Sequence, residues 1–317
     1  VFFAGLVQLI FLMFSIYKNN LKIFFVRPKY SNYIKRLFKL ILPGAIGAGV
    51  IQINLLIDVI LASFLNTGSI SYLYYAERIN QLPIALIGVA LGTALLPTLS
   101  KQISQNKKSK AIYTQNRAIE FCLVLAIPAS LAIFIIAEPI ISSFFERGEF
   151  TSNAKILSAK ALQAFAVGVP AYVLVKILTP IYFARQNTVT PVKIAIFCVF
   201  INFIFNIILM QFYQHVGIAM ATAIASWVNC LLLFYFLLKS KEIIFDNILK
   251  KNFKKIILVN ILFAFFIFYF NQYINIFSNL KFLNLSIFVL LSISFYILLL
   301  GFFKLFIFSN FKLFKIR

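Results

Sequence analysis

Hydrophobic residues along this 317-residue chain fall into long unbroken runs separated by short polar joints. The runs cover residues 1–17, 40–65, 72–99, 118–136, 156–183, 194–212, 216–238, 256–274 and 282–303. The first reads as the tail of a helix. The other eight are 19 to 28 residues long. A bilayer's hydrocarbon core, roughly 30 Å thick, needs about 20 apolar residues per helix, more when the helix tilts. Membrane β-strands need only about 10 residues and alternate polar with apolar. The runs here do not alternate, so the pattern predicts an all-α, polytopic transmembrane helix bundle.

The joints divide into two sets if every run crosses once. Residues 18–39, 101–117, 185–193, 239–255 and 304–317 carry 7, 5, 2, 6 and 4 basic residues, 24 of the 30 in the chain. The intervening joints carry 3, and Arg78, Lys160 and Lys176 lie inside runs. Cytoplasmic loops collect Lys and Arg. The basic set, with the C-terminus, is therefore predicted to face the cytoplasm.

Breaks cluster in the middle runs. Pro43, Pro83, Pro97, Pro128, Pro170 and Pro180 lie in or near them, with Gly44, Gly47 and Gly49 after Pro43 and a Gly88-x-x-x-Gly92 pair. Proline marks kinks, and small residues let membrane helices approach closely. Two readings stay open: static packing, or hinges of a moving transporter.

Composition strengthens the membrane reading. The chain is 62% hydrophobic and 12% charged, with a mean hydropathy of +0.96. A soluble chain sits near half apolar and a quarter charged. The net charge of +22 would suggest nucleic acid in a soluble protein. In a membrane protein it is the loop bias just described, and no nucleic-acid partner is expected. Cys122, Cys198 and Cys230 lie in apolar runs without metal-site spacing and read as small packing residues. The single histidine, His215, sits by a turn with no second ligand nearby, so no metal site is predicted. No Gly-rich phosphate loop, H-E-x-x-H or G-x-S-x-G occurs, and eight acidic residues leave little for acid–base chemistry. No catalytic residues are predicted; the chain reads as a transporter, not an enzyme. The chain opens with Val inside an apolar run and carries no signal-peptide pattern, so it reads as a fragment of a longer protein.

Ionisable groups inside a bilayer cost several kcal/mol, which makes each a candidate site. Glu77 and Arg78 lie in the stretch Tyr74-Tyr-Ala-Glu-Arg-Ile-Asn-Gln-Leu-Pro83. Arg78 is expected roughly 10 Å inside its helix end, and its guanidinium fork matches phosphate. Glu77 either holds the arginine or exchanges as a counter-charge. The alternative is a structural anchor snorkelling to the interface. Asp58, Asn202, Asn206 and Thr222 form a second group. Asn202 and Asn206 share a helix face, and four such oxygens would suit a hard monovalent cation such as Na+. Plain interhelical hydrogen bonding is the other reading. Lys176 reads as a deeper cation adding charge to a cavity, and Lys160 as reaching the outer interface. Arg185 and Lys193 flank a tight turn and either touch lipid phosphates or simply follow the charge bias.

Three blocks carry a resemblance. The first is the Glu77–Arg78 stretch, continuing through Gly88-Val-Ala-Leu-Gly-Thr-Ala-Leu-Leu-Pro97. The second is Phe144-Phe-Glu-Arg-Gly-Glu-Phe-Thr151. The third is Tyr182-Phe-Ala-Arg-Gln-Asn-Thr-Val-Thr-Pro-Val-Lys193. Their order and spacing resemble the MurJ/MviN family of lipid II flippases, most weakly after Lys239. The resemblance implies the fold of the multidrug and polysaccharide exporters. Residues 1–17 would end a first-lobe helix, and 18–39 would be a basic cytoplasmic loop. Residues 40–238 would form a MATE-like second six-helix lobe. A second basic loop at 239–255, two extra C-terminal helices at 256–303 and a basic tail at 304–317 would come after it. It further implies transport of the undecaprenyl-pyrophosphate-linked peptidoglycan precursor across the bacterial inner membrane by alternating access. Arg78, Glu77 and Lys176 would bind the substrate. The partners would be lipid II, membrane lipids and the N-terminal lobe, without which the chain is expected not to transport. Asp58, Asn202, Asn206 and Thr222 fall where some members bind Na+ as a coupling ion, but the family pattern has an acid at the Asn206 position. A related polysaccharide-lipid flippase, or a drug or cation antiporter of the same superfamily, is the alternative.

Overall fold

The computed structural model describes residues 2–19, 32–273 and 281–305. Much of the basic joint at 18–39, the joint after residue 274 and most of the tail after 304 lie outside them. The chain divides into two compact units, residues 1–41 and 42–317. In the first lies α1 (Phe2–Lys18), largely apolar and mostly exposed. α2 (Asn32–Ser63) begins in the first unit and ends in the second.

The second unit continues with α3 (Ser69–Pro83), a π-helical turn (Ile84–Val89), α4 (Ala90–Ser104), α5 (Lys108–Ile135), α6 (Ala137–Phe145), α7 (Ser152–Phe183), α8 (Val189–Lys239), α9 (Asn247–Phe270) and α10 (Lys281–Phe302). No strand occurs among the described residues. Six stretches there are long and apolar enough to cross a membrane: Ser69–Ser104, Lys108–Ile135, Ser152–Phe183, Val189–Lys239, Asn247–Phe270 and Lys281–Phe302. Helices satisfy every backbone group internally, which hydrocarbon demands. Large apolar side chains such as Leu231, Phe265, Phe268, Leu290 and Leu298 point outward, as a lipid-facing surface requires.

α7 is the central post. It packs most extensively on α8, then on α5 and α3. Ala159, Ala161, Ala166, Gly168 and Ala171 along it let neighbouring backbones come close. One apolar cluster joins α3, α5, α6, α7, α9 and α10, and a second joins α4, α5, α7 and α8. Thr151 caps α7 by accepting from Ala154 N at 3.2 Å, and Asp246 caps α9 by accepting from Leu249 N at 2.6 Å.

One detail departs from the sequence reading. The polar joint after residue 136 contains the nine-residue helix α6. The runs 194–212 and 216–238 are two helices, grouped here as α8, that meet at a break at Gln214, inside the joint read between them, where the backbone takes φ 51° and ψ −131°. That break reverses the chain. Asn202 and Thr222 would lie roughly 30 Å apart in a straight helix, yet their side chains meet at 3.2 Å. His215, expected in the turn, is the first buried residue after the break.

Candidate functional site

A cavity of about 450 Å³ opens between α2, α3, α7 and both halves of α8. Helical spacing aims its polar side chains. Asn54 and Asp58 share one face of α2, and Glu77, Asn80 and Gln81 one face of α3. Tyr172 and Lys176 repeat that spacing on α7. Asn202 comes from the first half of α8, and Thr222, Ser226 and Asn229 come from the second. The remaining wall is largely aliphatic.

Asp58 anchors the wall. Its Oδ1 accepts from Asn206 Nδ2 at 2.6 Å, and its Oδ2 from Asn54 Nδ2 at 3.3 Å. Thr222 Oγ1 lies 3.2 Å from Asp58 Oδ2 and 3.1 Å from Ile218 O, its single hydrogen shared between them. The Asn202 amide bridges Asn206 at 2.8 Å and Thr222 at 3.2 Å. Turning that amide over would bring its oxygen onto Thr222 and its nitrogen within 3.1 Å of Asp58. Asn206 is fully buried, and its Oδ1 has no partner among the described residues. The structure thus brings together the four residues Asp58, Asn202, Asn206 and Thr222 and adds Asn54, which sequence reading passed over although it stands one turn before Asp58. Among the described residues, Asp58 has no ion-pair partner.

Glu77 and Lys176 line the same cavity. The glycine pair on the neighbouring helix seats Lys176. A Cβ on Gly92 would stand 2.5 Å from Lys176 O, and one on Gly88 would stand 3.2 Å from Lys176 Cβ. Arg78 is exposed and is not part of the cavity wall. It donates to Gln81 Oε1 at 3.3 Å and lies 4.6 Å from the centre of the Tyr74 ring. Gln81 in turn donates to Glu77 Oε1 at 2.9 Å. Glutamate and arginine are thus coupled through an amide rather than as a direct pair, and Tyr74, Glu77 and Gln81 all reach the cavity. Asn80, buried with its Oδ1 unpartnered among the described residues, is a further wall residue that sequence reading did not single out.

The other candidates go elsewhere. Lys160 lines a separate cavity. Arg185 donates to Ile181 O and Glu242 O at 2.8 and 2.9 Å, tying the α7–α8 turn to the chain after α8. Arg117 grips both Asp246 oxygens at 2.8 and 2.9 Å and also pairs with Glu120. At the opposite end, Glu146 gathers Ser142, Lys155 and Lys281. The Ser142 hydroxyl, with the two ammonium groups, holds its carboxyl below the usual glutamate range against the cost of burial. No cluster of metal-ligating residues occurs among the described residues, and the three cysteines are free and buried.

Comparison with known proteins gives a consistent result. The family model for the lipid II flippase MurJ matches residues 1–297. A probable lipid II flippase MurJ of Rickettsia prowazekii is 38% identical over 255 residues, 80% of this chain and 50% of that protein. One from Rhizobium meliloti is 40% identical over 231 residues, 73% of this chain and 43% of that protein. The chain spans about half the length of these curated relatives. A solved lipid II flippase MurJ in an inward closed conformation superposes with a TM-score of 0.71 at 32% identity, covering 92% of this chain and 58% of that one. An outward-facing multidrug resistance MATE transporter shares the fold, with a TM-score of 0.58 at 18% identity over 83% of this chain and 62% of that one.

Proposed function

Because this chain belongs to the MurJ lipid II flippase family, we propose that the whole protein moves lipid II across the bacterial inner membrane by alternating access. The observation that carries this reading is the polar cavity inside an otherwise apolar bundle, with Lys176 and Glu77 in its wall and Arg78 tied to it through Gln81. A pyrophosphate headgroup crossing hydrocarbon needs fixed cations in a wet cavity. Lys176 supplies one as a point charge, and Arg78 supplies a planar fork once it leaves Gln81. Glu77, released from Gln81 at that moment, takes up the counter-charge role. The π-helical turn after Pro83 supports a hinge, since such turns interrupt the regular ladder and recur at functional sites. The N-terminal lobe of the family would complete the cavity.

Asp58, Asn202, Asn206 and Thr222 are the residues that would hold a sodium ion. The unpartnered Asn206 Oδ1 and the turnable Asn202 amide fit an oxygen-donating role. Bound there, the ion would supply positive charge to Asp58 and couple transport to a gradient. A drug or cation antiporter of the same fold is the second reading, favoured by that carboxylate in the cavity wall. Competition by lipid II or by drug cations for the purified full-length protein separates the two.

The decisive experiment is complementation of cells depleted of their own flippase. Arg78→Ala in the full-length protein is expected to abolish growth at unchanged membrane expression. A lost charge-assisted hydrogen bond weakens headgroup binding by roughly 1.5–3 kcal/mol. Arg78→Lys should keep part of the activity. Normal growth with Arg78→Ala would overturn the proposed role.

A further inference from the structure

A second cavity, of about 570 Å³, lies between α7, the two halves of α8 around the break, and Phe134 near the end of α5. It shares no lining residue with the central cavity. Its mouth is polar, with Lys160 beside Tyr213, Gln214 and His215; its floor is apolar, made by Ala164, Val167, Met220, Ala223, Ile224 and Trp227. Depth comes from helix rise. Lys160 lies eight residues after the start of α7, roughly 12 Å, and Val167 lies 15 residues after it, roughly 22 Å. Trp227 lies 12 residues past His215, roughly 18 Å. The groove therefore runs from one membrane face towards the middle of a hydrocarbon layer roughly 30 Å thick.

Its walls are pinned open. Trp227 Nε1 donates to Val167 O at 3.0 Å, tying α8 to α7 at the deep end. Gln163 Nε2 donates to Phe134 O at 3.1 Å, tying α7 to α5. At the mouth, the His215 ring lies 3.1 Å from Leu157 O. Each tie holds a polar side chain against a neighbouring helix, so the groove does not depend on a flexible loop. Among the described residues lining it, Lys160 carries the only formal charge, and no carboxylate is present to neutralise it.

We propose that this groove binds a net-anionic membrane phospholipid, its phosphate at Lys160 and one acyl chain along the floor to Trp227. Charge complementarity selects the headgroup. The length of apolar floor below a single cation matches a lipid rather than a soluble anion, which would leave that floor wet. Lysine at this depth reaches towards the interface, where lipid phosphates lie. The site is independent of the flippase reading, because none of the residues assigned to headgroup transport line it.

Trp227 is the single tryptophan of these residues, which makes the floor observable. The full-length protein is placed in phosphatidylcholine vesicles containing an equal fraction of chain-brominated phosphatidylglycerol or chain-brominated phosphatidylcholine. Quenching of Trp227 is taken as the difference from Trp227→Phe. The expected result is a roughly fivefold preference for the glycerol lipid, the factor for one basic residue near an anionic lipid. Lys160→Gln should remove the preference, and Lys160→Arg should keep it. Equal quenching by both lipids in the unaltered protein overturns the proposal. So does a preference that survives Lys160→Gln, or one that Lys160→Arg loses just as completely.

Discussion

Single side chains carry the chemistry here, and their settings differ although their sequence signals look alike. Arg78 and Glu77 are adjacent in sequence, yet Gln81 stands between their charges. An arginine held by a neutral amide and a tyrosine face is released more easily than one locked to a carboxylate, because only a weak hydrogen bond must break. Asp58 is the opposite case, its oxygens engaged by Asn54, Asn206 and Thr222 with no cation paired to them among the described residues. If sodium is bound there, the purified full-length protein should melt at a higher temperature in sodium chloride than in choline chloride. A ligand at 100 times its dissociation constant stabilises by about 2.7 kcal/mol. Asp58→Asn should erase the difference. Identical melting in both salts would remove sodium from the account.

At the scale of elements, α8 decides the geometry. Its break at Gln214 depends on the glycine three residues later. A Cβ on Gly217 would overlap Leu209 O and stand 2.8 Å from Met210 N. Those are backbone atoms, which cannot swing aside as a side chain would. Gly217→Ala is expected to cost about 1–3 kcal/mol, as overpacking does, read as a lower melting temperature of the purified protein. Gly49→Ala is the control: its Cβ would meet nothing within 4 Å among the described residues, so it should be neutral or slightly stabilising, alanine being the better helix former. Equal behaviour of the two variants would mean that the halves of α8 do not pack this closely. α6 is the element that sequence reading missed. At nine residues it is far shorter than a membrane span. Its buried residues Ala137, Ile140 and Ile141 face the bundle, a pattern too brief to stand out from a loop.

For the whole molecule, the loop charges predict orientation. Thr67 and Gln105 are exposed at opposite ends of the α3–α4 span. The native cysteines are buried and give a quiet background. In intact cells a membrane-impermeant maleimide should label Thr67→Cys, whereas Gln105→Cys should react only after permeabilisation. The reverse pattern would invert the topology drawn from the basic loops.

Much of the architecture was legible because its cause is local. A span must be apolar for about 20 residues and must satisfy its own hydrogen bonds, and both conditions can be read from consecutive residues. The helices α3–α4, α5, α7, α9 and α10 accordingly coincide with uninterrupted runs in the sequence. The grouping of Asp58 with Asn202, Asn206 and Thr222 was also foreshadowed, because polar groups stand out against hydrocarbon. The distances at which they meet were not. Thr222 reaches Asp58 across 164 residues only because α8 folds back on itself. Lys160 and Lys176, read from the sequence as reaching the outer interface and a deeper cavity, line separate cavities. Both sit on α7, but helix rotation and the identity of the facing helix turn one to the outer groove and the other to the central cavity. The sequence alone determined which segments are dissolved in lipid, since each residue's preference for hydrocarbon acts independently. The tertiary structure decided which polar groups share a cavity, since that depends on distances between helices that no local pattern encodes.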